Sequence, residues 1–111
     1  MSKVAAFRIL RKLPRENAFY FFTSIGNYTG QYALSLEEFV KKIKEVNVKS
    51  LQFHLCRRDF EKWATQTLED KELAKQIEGV QKLHPSGNKL QEQLYLIVNK
   101  RYEDLKSNLQ S

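Results

Sequence analysis

Hydrophobic and polar positions follow a helical spacing along most of this chain. From about position 35 onward, hydrophobic residues recur every three or four positions, as in amphipathic helices. Helices are predicted to begin at Ser35, where Glu38 completes a capping box, and at Asp59 and Asp70, which are typical N-cap residues. The last helix is predicted over residues 88–107, and its buried face would hold Leu90, Leu94, Ile97, Val98, Tyr102 and Leu105.

Residues 18–33 differ from the rest, because their aromatic and β-branched side chains predict a β-hairpin. Gly26-Asn27 is the predicted two-residue turn. That turn would place Phe21 opposite Tyr32 and Ile25 opposite Tyr28. A helix over residues 18–24 is the alternative for the first strand.

Six of the 13 aromatic residues lie in this predicted hairpin. A hydrophobic core is the favoured role for them, because rings that stack on nucleic-acid bases must be exposed beside positive charge. Tyr28 and Tyr32 lie near glycines and are the two candidates for such exposure. The glycines themselves lack the lysine and the flanking pattern of a phosphate-binding loop.

Residues 50–56 fit either a strand or a helix, and the helical neighbours on both sides favour a helix. The expected fold is therefore mainly α with a small β-hairpin near the N-terminus, an α+β arrangement. The length of 111 residues suits one compact domain. We expect a basic N-terminal arm over residues 1–15, followed by a single helical domain over residues 16–111.

The positive charge is concentrated in that arm. The net charge is +6, and residues 1–15 carry five basic and no acidic side chains. On a helix, Arg8, Arg11 and Lys12 would form one basic stripe, and Pro14 would end the helix. The apolar side expected to dock on the body holds Ala6, Phe7, Leu10 and Leu13.

Arginine side chains arranged in this way suit a polyanion, because guanidinium groups bind phosphates in a bidentate manner. We therefore predict a small, basic, non-enzymatic accessory factor that binds nucleic acid or a ribonucleoprotein and is associated with the ribosome or with chromatin, with RNA favoured over DNA. The candidate contact residues are Lys3, Arg8, Arg11, Lys12, Arg15, Tyr28, Lys41 and Lys42. The alternatives are a protein-interaction module that docks on a larger enzyme or polymerase complex, and a solvated basic end without a partner.

No convincing set of catalytic residues is apparent, and we expect no enzyme activity, cofactor or metal. His54 and Asp59 are expected to form a hydrogen bond with a structural role, a lock beside Trp63. A small enzyme with this pair at its active site is a weaker alternative. Cys56, the single cysteine, excludes an internal disulfide and is expected to be a buried thiol. A cytoplasmic location and no membrane partner are expected, since no long uncharged apolar stretch is present.

The run from Ser50 to Trp63, which contains Phe53-His54 and Asp59-Phe60, resembles an uncharacterised prokaryotic family known as domain of unknown function 5752. The steps Tyr28-Thr29-Gly30, Ser35–Phe39 and Asp70–Ala74 are also similar to that family, so the resemblance spans about residues 18–80. It implies a prokaryotic (archaeal or bacterial) cytoplasmic protein and singles out His54, Asp59 and Trp63. It implies no activity. Arg58 stands where the family has glycine.

Overall fold

The computed structural model describes residues 2–110, which form six helices and one two-stranded antiparallel hairpin. This confirms the fold class that the sequence predicts. The elements are α1 (Lys3–Ile9), β1 (Phe19–Ser24), β2 (Asn27–Ala33), α2 (Leu36–Glu45), α3 (Val48–Arg57), α4 (Asp59–Lys62), α5 (Lys71–Lys82) and α6 (Gly87–Gln110). A 3₁₀ turn covers Arg15–Asn17, and α4 continues into a π-helical segment, Trp63–Leu68.

The hairpin is present, but its predicted turn and register are wrong. The turn consists of Ile25 and Gly26, and Gly26 adopts a φ of +83°, which glycine tolerates without strain. The observed pairs are Phe19 with Ala33, Tyr20 with Tyr32, Phe22 with Tyr28 and Ser24 with Asn27. The register differs from the expected one because the turn lies one residue earlier and the pairing is irregular on both sides of the Phe22–Tyr28 pair, including a bulge in β2 between Tyr28 and Tyr32.

Two of the predicted N-caps are confirmed. The hydroxyl of Ser35 accepts a hydrogen bond from the Glu38 N–H at 3.2 Å, and the Glu38 carboxylate accepts the Leu34 N–H at 2.9 Å. The buried carboxylate of Asp70 accepts the Leu73 N–H at 3.1 Å, and Arg101 lies 2.9 Å from the same Oδ1.

Asp59 is not an N-cap, so that prediction is wrong. It is the first residue of α4, and the capping position belongs to Arg58, whose φ of +65° turns the chain from α3 into α4. The left-handed turn leaves the Asp59 side chain available for a contact with α3. Residues 50–56 lie within α3, which confirms the helical alternative. Cys56 on that helix is exposed, so its expected burial is wrong.

One hydrophobic core joins all the elements, and α6 packs against α1, α2, α3 and α5. α1 belongs to this core through Ala6 and Ile9, and Leu13 beyond it is also buried. Phe7 is 70% exposed, which corrects its expected place on the docked side of α1. The buried stripe follows positions 6, 9, 10 and 13, and Phe7 lies about 100° around the helix from Ala6.

No helix within residues 2–110 combines the length and the apolar character that a membrane crossing needs. The 24-residue α6 is long enough, but it is amphipathic and carries charged side chains along its exposed side.

Candidate functional site

Two arginines of the expected basic stripe are held by the body of the protein. Arg8 Nε donates a hydrogen bond to Glu69 Oε2 at 2.7 Å. Arg11 Nη2 donates to the Thr67 carbonyl oxygen at 2.7 Å, and its Nη1 donates to the Arg8 carbonyl oxygen at 2.6 Å. The hydrogen bond from Arg8 is the main reason that the pKa of Glu69 is lowered. The stripe is therefore partly neutralised within the molecule.

The π-helical segment explains why Arg11 is held in this way. A helix end leaves carbonyl groups without partners, and basic side chains commonly satisfy them. The segment ends at Leu68, Glu69 adopts a left-handed φ of +63°, and the Asp70 N–H reaches back to the Ala64 carbonyl. The guanidinium of Arg11 supplies the partner that the Thr67 carbonyl needs, so Arg11 stabilises the end of this segment.

The remaining candidate cations have different surroundings. Within residues 2–110, Lys3, Lys12, Arg15 and Lys41 form no side-chain ion pair. Lys42 donates to the Gln31 side-chain oxygen at 2.7 Å and lies 3.3 Å from a Glu45 oxygen. The chain around Lys12 meets the base of the hairpin, since the Leu13 N–H bonds to the Leu34 carbonyl at 2.7 Å.

Three tyrosines, Tyr20, Tyr28 and Tyr32, form a cluster on the outward side of the hairpin, which we call the tyrosine face. The ring centroid of Tyr20 lies 5.8 Å from that of Tyr28 and 5.8 Å from that of Tyr32. Tyr28 is 46% exposed and Tyr20 is 36% exposed. Burial and the two neighbouring phenols raise the pKa of Tyr28, so its ring is neutral at physiological pH. Of the two tyrosines for which the sequence predicts exposure, Tyr28 is exposed and Tyr32 is half-buried, so the prediction for Tyr32 is wrong, and the exposure of Tyr20 is missed.

The bulge in β2 assembles this cluster. Tyr28 and Tyr32 are four positions apart and would lie about 13 Å apart along a regular strand. Thr29, Gly30 and Gln31 occupy β2 opposite one residue of β1, and Gly30 adopts a φ of +85°. The Thr29 hydroxyl donates to the Phe21 carbonyl at 2.7 Å and accepts the Gln31 N–H at 3.1 Å, which holds the bulge in place. Both rings can therefore approach Tyr20.

Positive charge lies at the edges of the tyrosine face. Lys41 and Lys42 line a groove together with Tyr32, and the carboxylates of Glu38 and Glu45 line it as well. On the other side, the Tyr20 hydroxyl donates a hydrogen bond to the Arg15 carbonyl at 2.6 Å. The fold thus brings Tyr28, Lys41, Lys42 and the backbone of Arg15 to one region, and leaves Arg8 and Arg11 in contact with Thr67 and Glu69.

His54 and Asp59 are in direct contact, as the sequence leads us to expect. His54 Nδ1 lies 2.8 Å from Asp59 Oδ2, and the backbone N–H of Phe22 donates to His54 Nε2 at 2.8 Å. Since Nε2 must accept, the ring is neutral with its proton on Nδ1. Burial lowers the pKa of His54, against the opposing effect of Asp59. These two contacts of His54 hold β1 and Asp59 of α4 against α3, and we call them the His54 lock.

The lock lies at the wall of a cleft of about 410 Å³ between β1 and α3. Trp63, the third residue of the expected motif, lines the same cleft, but its indole N–H donates to the Asn17 carbonyl at 2.9 Å. Arg57 Nε lies 3.3 Å from Asp59 Oδ2, and its guanidinium lies 5.0 Å from the Phe53 ring centroid. No signal in the sequence indicates the Phe22 N–H as part of this site. Arg57 follows His54 by three positions in the sequence, and the structure places it at the wall of the cleft.

Among the residues that the structure describes, no three His, Cys, Asp or Glu side chains are grouped so that they could hold a metal ion. Comparison of the chain with models of known protein families, with curated proteins and with solved structures found no match. The family resemblance carried by residues 18–80 therefore stays a prediction.

Proposed function

We propose that this protein is a non-enzymatic factor that binds single-stranded nucleic acid through the tyrosine face of its hairpin. The observation that carries the proposal is the cluster of Tyr20, Tyr28 and Tyr32, which is outward-facing and bordered by basic residues. RNA is the favoured ligand, because proteins recognise RNA mainly at single-stranded loops and ends, where the bases are unstacked.

The rings supply the contact that such a ligand needs. Unstacked bases bind exposed aromatic side chains, and each stacked base contributes about 1–3 kcal/mol with little dependence on sequence. Tyr28 and Tyr20 offer exposed ring surface, and the opposite side of the hairpin is anchored in the core by Phe19 and Phe21. The face is therefore rigidly supported and open to a ligand.

The neighbouring cations supply the contact with the phosphates. Lys41 is exposed and, within the described chain, has no side-chain ion pair, and the same holds for Arg15. Lys42 can exchange its contacts with Gln31 and Glu45 for a phosphate, since the Glu45 side chain is 58% exposed. Cations beside stacking rings are the usual composition of a surface that binds single strands.

The test is fluorescence anisotropy with a labelled uridine oligonucleotide of about ten residues. Tyr28→Ala should weaken binding by about 1–3 kcal/mol, because it removes one stacking ring. Phe7→Ala is the control, because it removes an aromatic ring that is even more exposed, 70% against 46% for Tyr28, but lies on α1. If Tyr28→Ala binds the oligonucleotide as tightly as the unchanged protein does, or if Phe7→Ala weakens binding equally, the proposal is wrong.

Docking on a protein is the second candidate function, and exposed apolar side chains on α1 favour it. Val4 and Phe7 lie three positions apart, so they share a helix face, and both are largely exposed. Under this alternative, Phe7→Ala would weaken capture of a protein partner and Tyr28→Ala would not. The two variants therefore separate the two functions.

A further inference from the structure

The cleft between β1 and α3 has the properties of a small-molecule site. Its volume of about 410 Å³ falls within the range of ordinary ligand pockets, about 300–1,000 Å³. Aromatic and aliphatic side chains make up most of its wall, namely Phe19, Tyr20, Phe22, Ile25, Phe53 and Trp63. Such a wall packs well against an apolar ligand and offers it few hydrogen bonds.

The polar groups of the cleft are mostly engaged already. His54 uses both ring nitrogens, one toward Asp59 and one toward the Phe22 N–H. The Trp63 indole N–H is taken by the Asn17 carbonyl. Neither side chain therefore has a donor or an acceptor left for a ligand.

Arg57 is the exception. Its Nε faces Asp59 Oδ2 and its guanidinium lies over the Phe53 ring, so two contacts hold the group in place. Its two Nη groups have no acceptor in the portion of the chain that the structure describes, and the side chain is 49% exposed. A positioned guanidinium with a vacant pair of N–H donors is suited to bidentate binding of an anion.

We propose that this cleft binds a small organic carboxylate with an apolar body. The carboxylate pairs with the Nη groups of Arg57, and the body packs against Phe22 and Phe53. A carboxylate is favoured over a phosphate dianion, because Asp59 already pairs with Arg57 Nε and repels each further negative charge brought into the cleft. This site adjoins the proposed nucleic-acid contact, because Tyr20 borders both and the Phe22 ring centroid lies 5.3 Å from that of Tyr28.

The chain contains one tryptophan, Trp63, and it lines the cleft, so its signal reports on this site. The unchanged protein should show a saturable change in Trp63 fluorescence, and a shift of its indole N–H resonance, with 4-phenylbutyrate or decanoate. The neutral 4-phenylbutyramide should bind about tenfold more weakly or worse, since it lacks the charge that pairs with Arg57.

Arg57→Gln should weaken carboxylate binding by about tenfold or more and should leave amide binding unchanged. Arg58→Gln is the matched control: it removes the same charge from the next residue, which pairs with Glu78 and does not line the cleft. Circular dichroism checks that both variants fold. The proposal is overturned if neither carboxylate produces a saturable change, if the amide binds equally well, or if Arg57→Gln and Arg58→Gln behave alike.

Discussion

His54, on α3, contacts β1 through one ring nitrogen and Asp59 of α4 through the other. Nε2 accepts the Phe22 N–H, and protonation would remove that acceptor and set two N–H groups against each other. Burial lowers the pKa of His54 in the folded protein, while the unfolded chain titrates near the ordinary value of 6.5. The unfolded chain therefore takes up a proton first as the pH falls. The stabilisation is complete above about pH 6.5 and decreases below it.

We predict that the free energy of unfolding decreases as the pH falls below about 6.5, and that His54→Gln removes this part of the pH dependence. Urea denaturation between about pH 5 and pH 8 measures it. His84→Gln is the control, because His84 is exposed in the turn before α6. Equal pH profiles for His54→Gln and the unchanged protein would contradict the prediction.

The partners of His54 differ in how far the sequence could indicate them. Asp59 follows His54 by only five positions, so the sequence can indicate that the two side chains lie close together. The helical spacing of α3 and the turn of the chain at Arg58 bring them into contact. The Phe22 N–H lies 32 positions away and belongs to the backbone, which has no residue-specific signal. Arg57 becomes part of the cleft only because β1 packs along α3.

At the scale of the element, the bulge of β2 sets the spacing of the tyrosines. Gly30 has a φ of +85°, and no atom lies within 4 Å of the place where a Cβ would stand. Gly30→Ala would therefore introduce backbone strain without a steric clash. We predict a loss of stability of about 1–3 kcal/mol, together with weaker oligonucleotide binding, because relief of the strain would displace Tyr28 or Tyr32.

Gly79→Ala is the matched control for this prediction. Gly79 lies in α5 and also has open space around its Cβ position, so alanine there should stabilise the protein by about 0.5–1 kcal/mol. Thermal unfolding of the two variants measures both changes. A loss of stability of similar size at both positions would show that the backbone conformation of Gly30 is not the cause.

The elements themselves could be predicted where their signals are local. Ser35 and Asp70 begin helices through contacts with residues three positions away, and α6 follows from its periodic hydrophobic face. The hairpin register could not be predicted, because the bulge depends on Thr29 reaching the Phe21 carbonyl across the sheet. The tyrosine face is a consequence of that register, so the exposure of Tyr20 was missed as well.

At the scale of the whole molecule, folding pairs some of the N-terminal basic side chains with acceptors far along the chain. Glu69 lies 61 positions beyond Arg8 and accepts its hydrogen bond, and Arg11 binds the neighbouring Thr67 carbonyl. Arg15 lies beside the tyrosine face instead, where its carbonyl accepts the Tyr20 hydroxyl. Residues 1–15 thus contain cations in two different settings, since Arg8 and Arg11 bind groups of the body and Arg15 forms no ion pair within residues 2–110.

This division predicts the salt dependence of oligonucleotide binding. Each phosphate contact with a single strand contributes about −0.7 to the slope of log K against log salt concentration, so contacts from Arg15, Lys41 and Lys42 imply a slope of about −2. Arg15→Gln should reduce the magnitude of the slope by about 0.7, and Arg8→Gln should leave it unchanged, because Arg8 is bound to Glu69. Anisotropy titrations at several salt concentrations measure both slopes. If the slope changes with Arg8→Gln and not with Arg15→Gln, the phosphate contact lies on α1. The basic residues beside the tyrosine face would then no longer support nucleic-acid binding there.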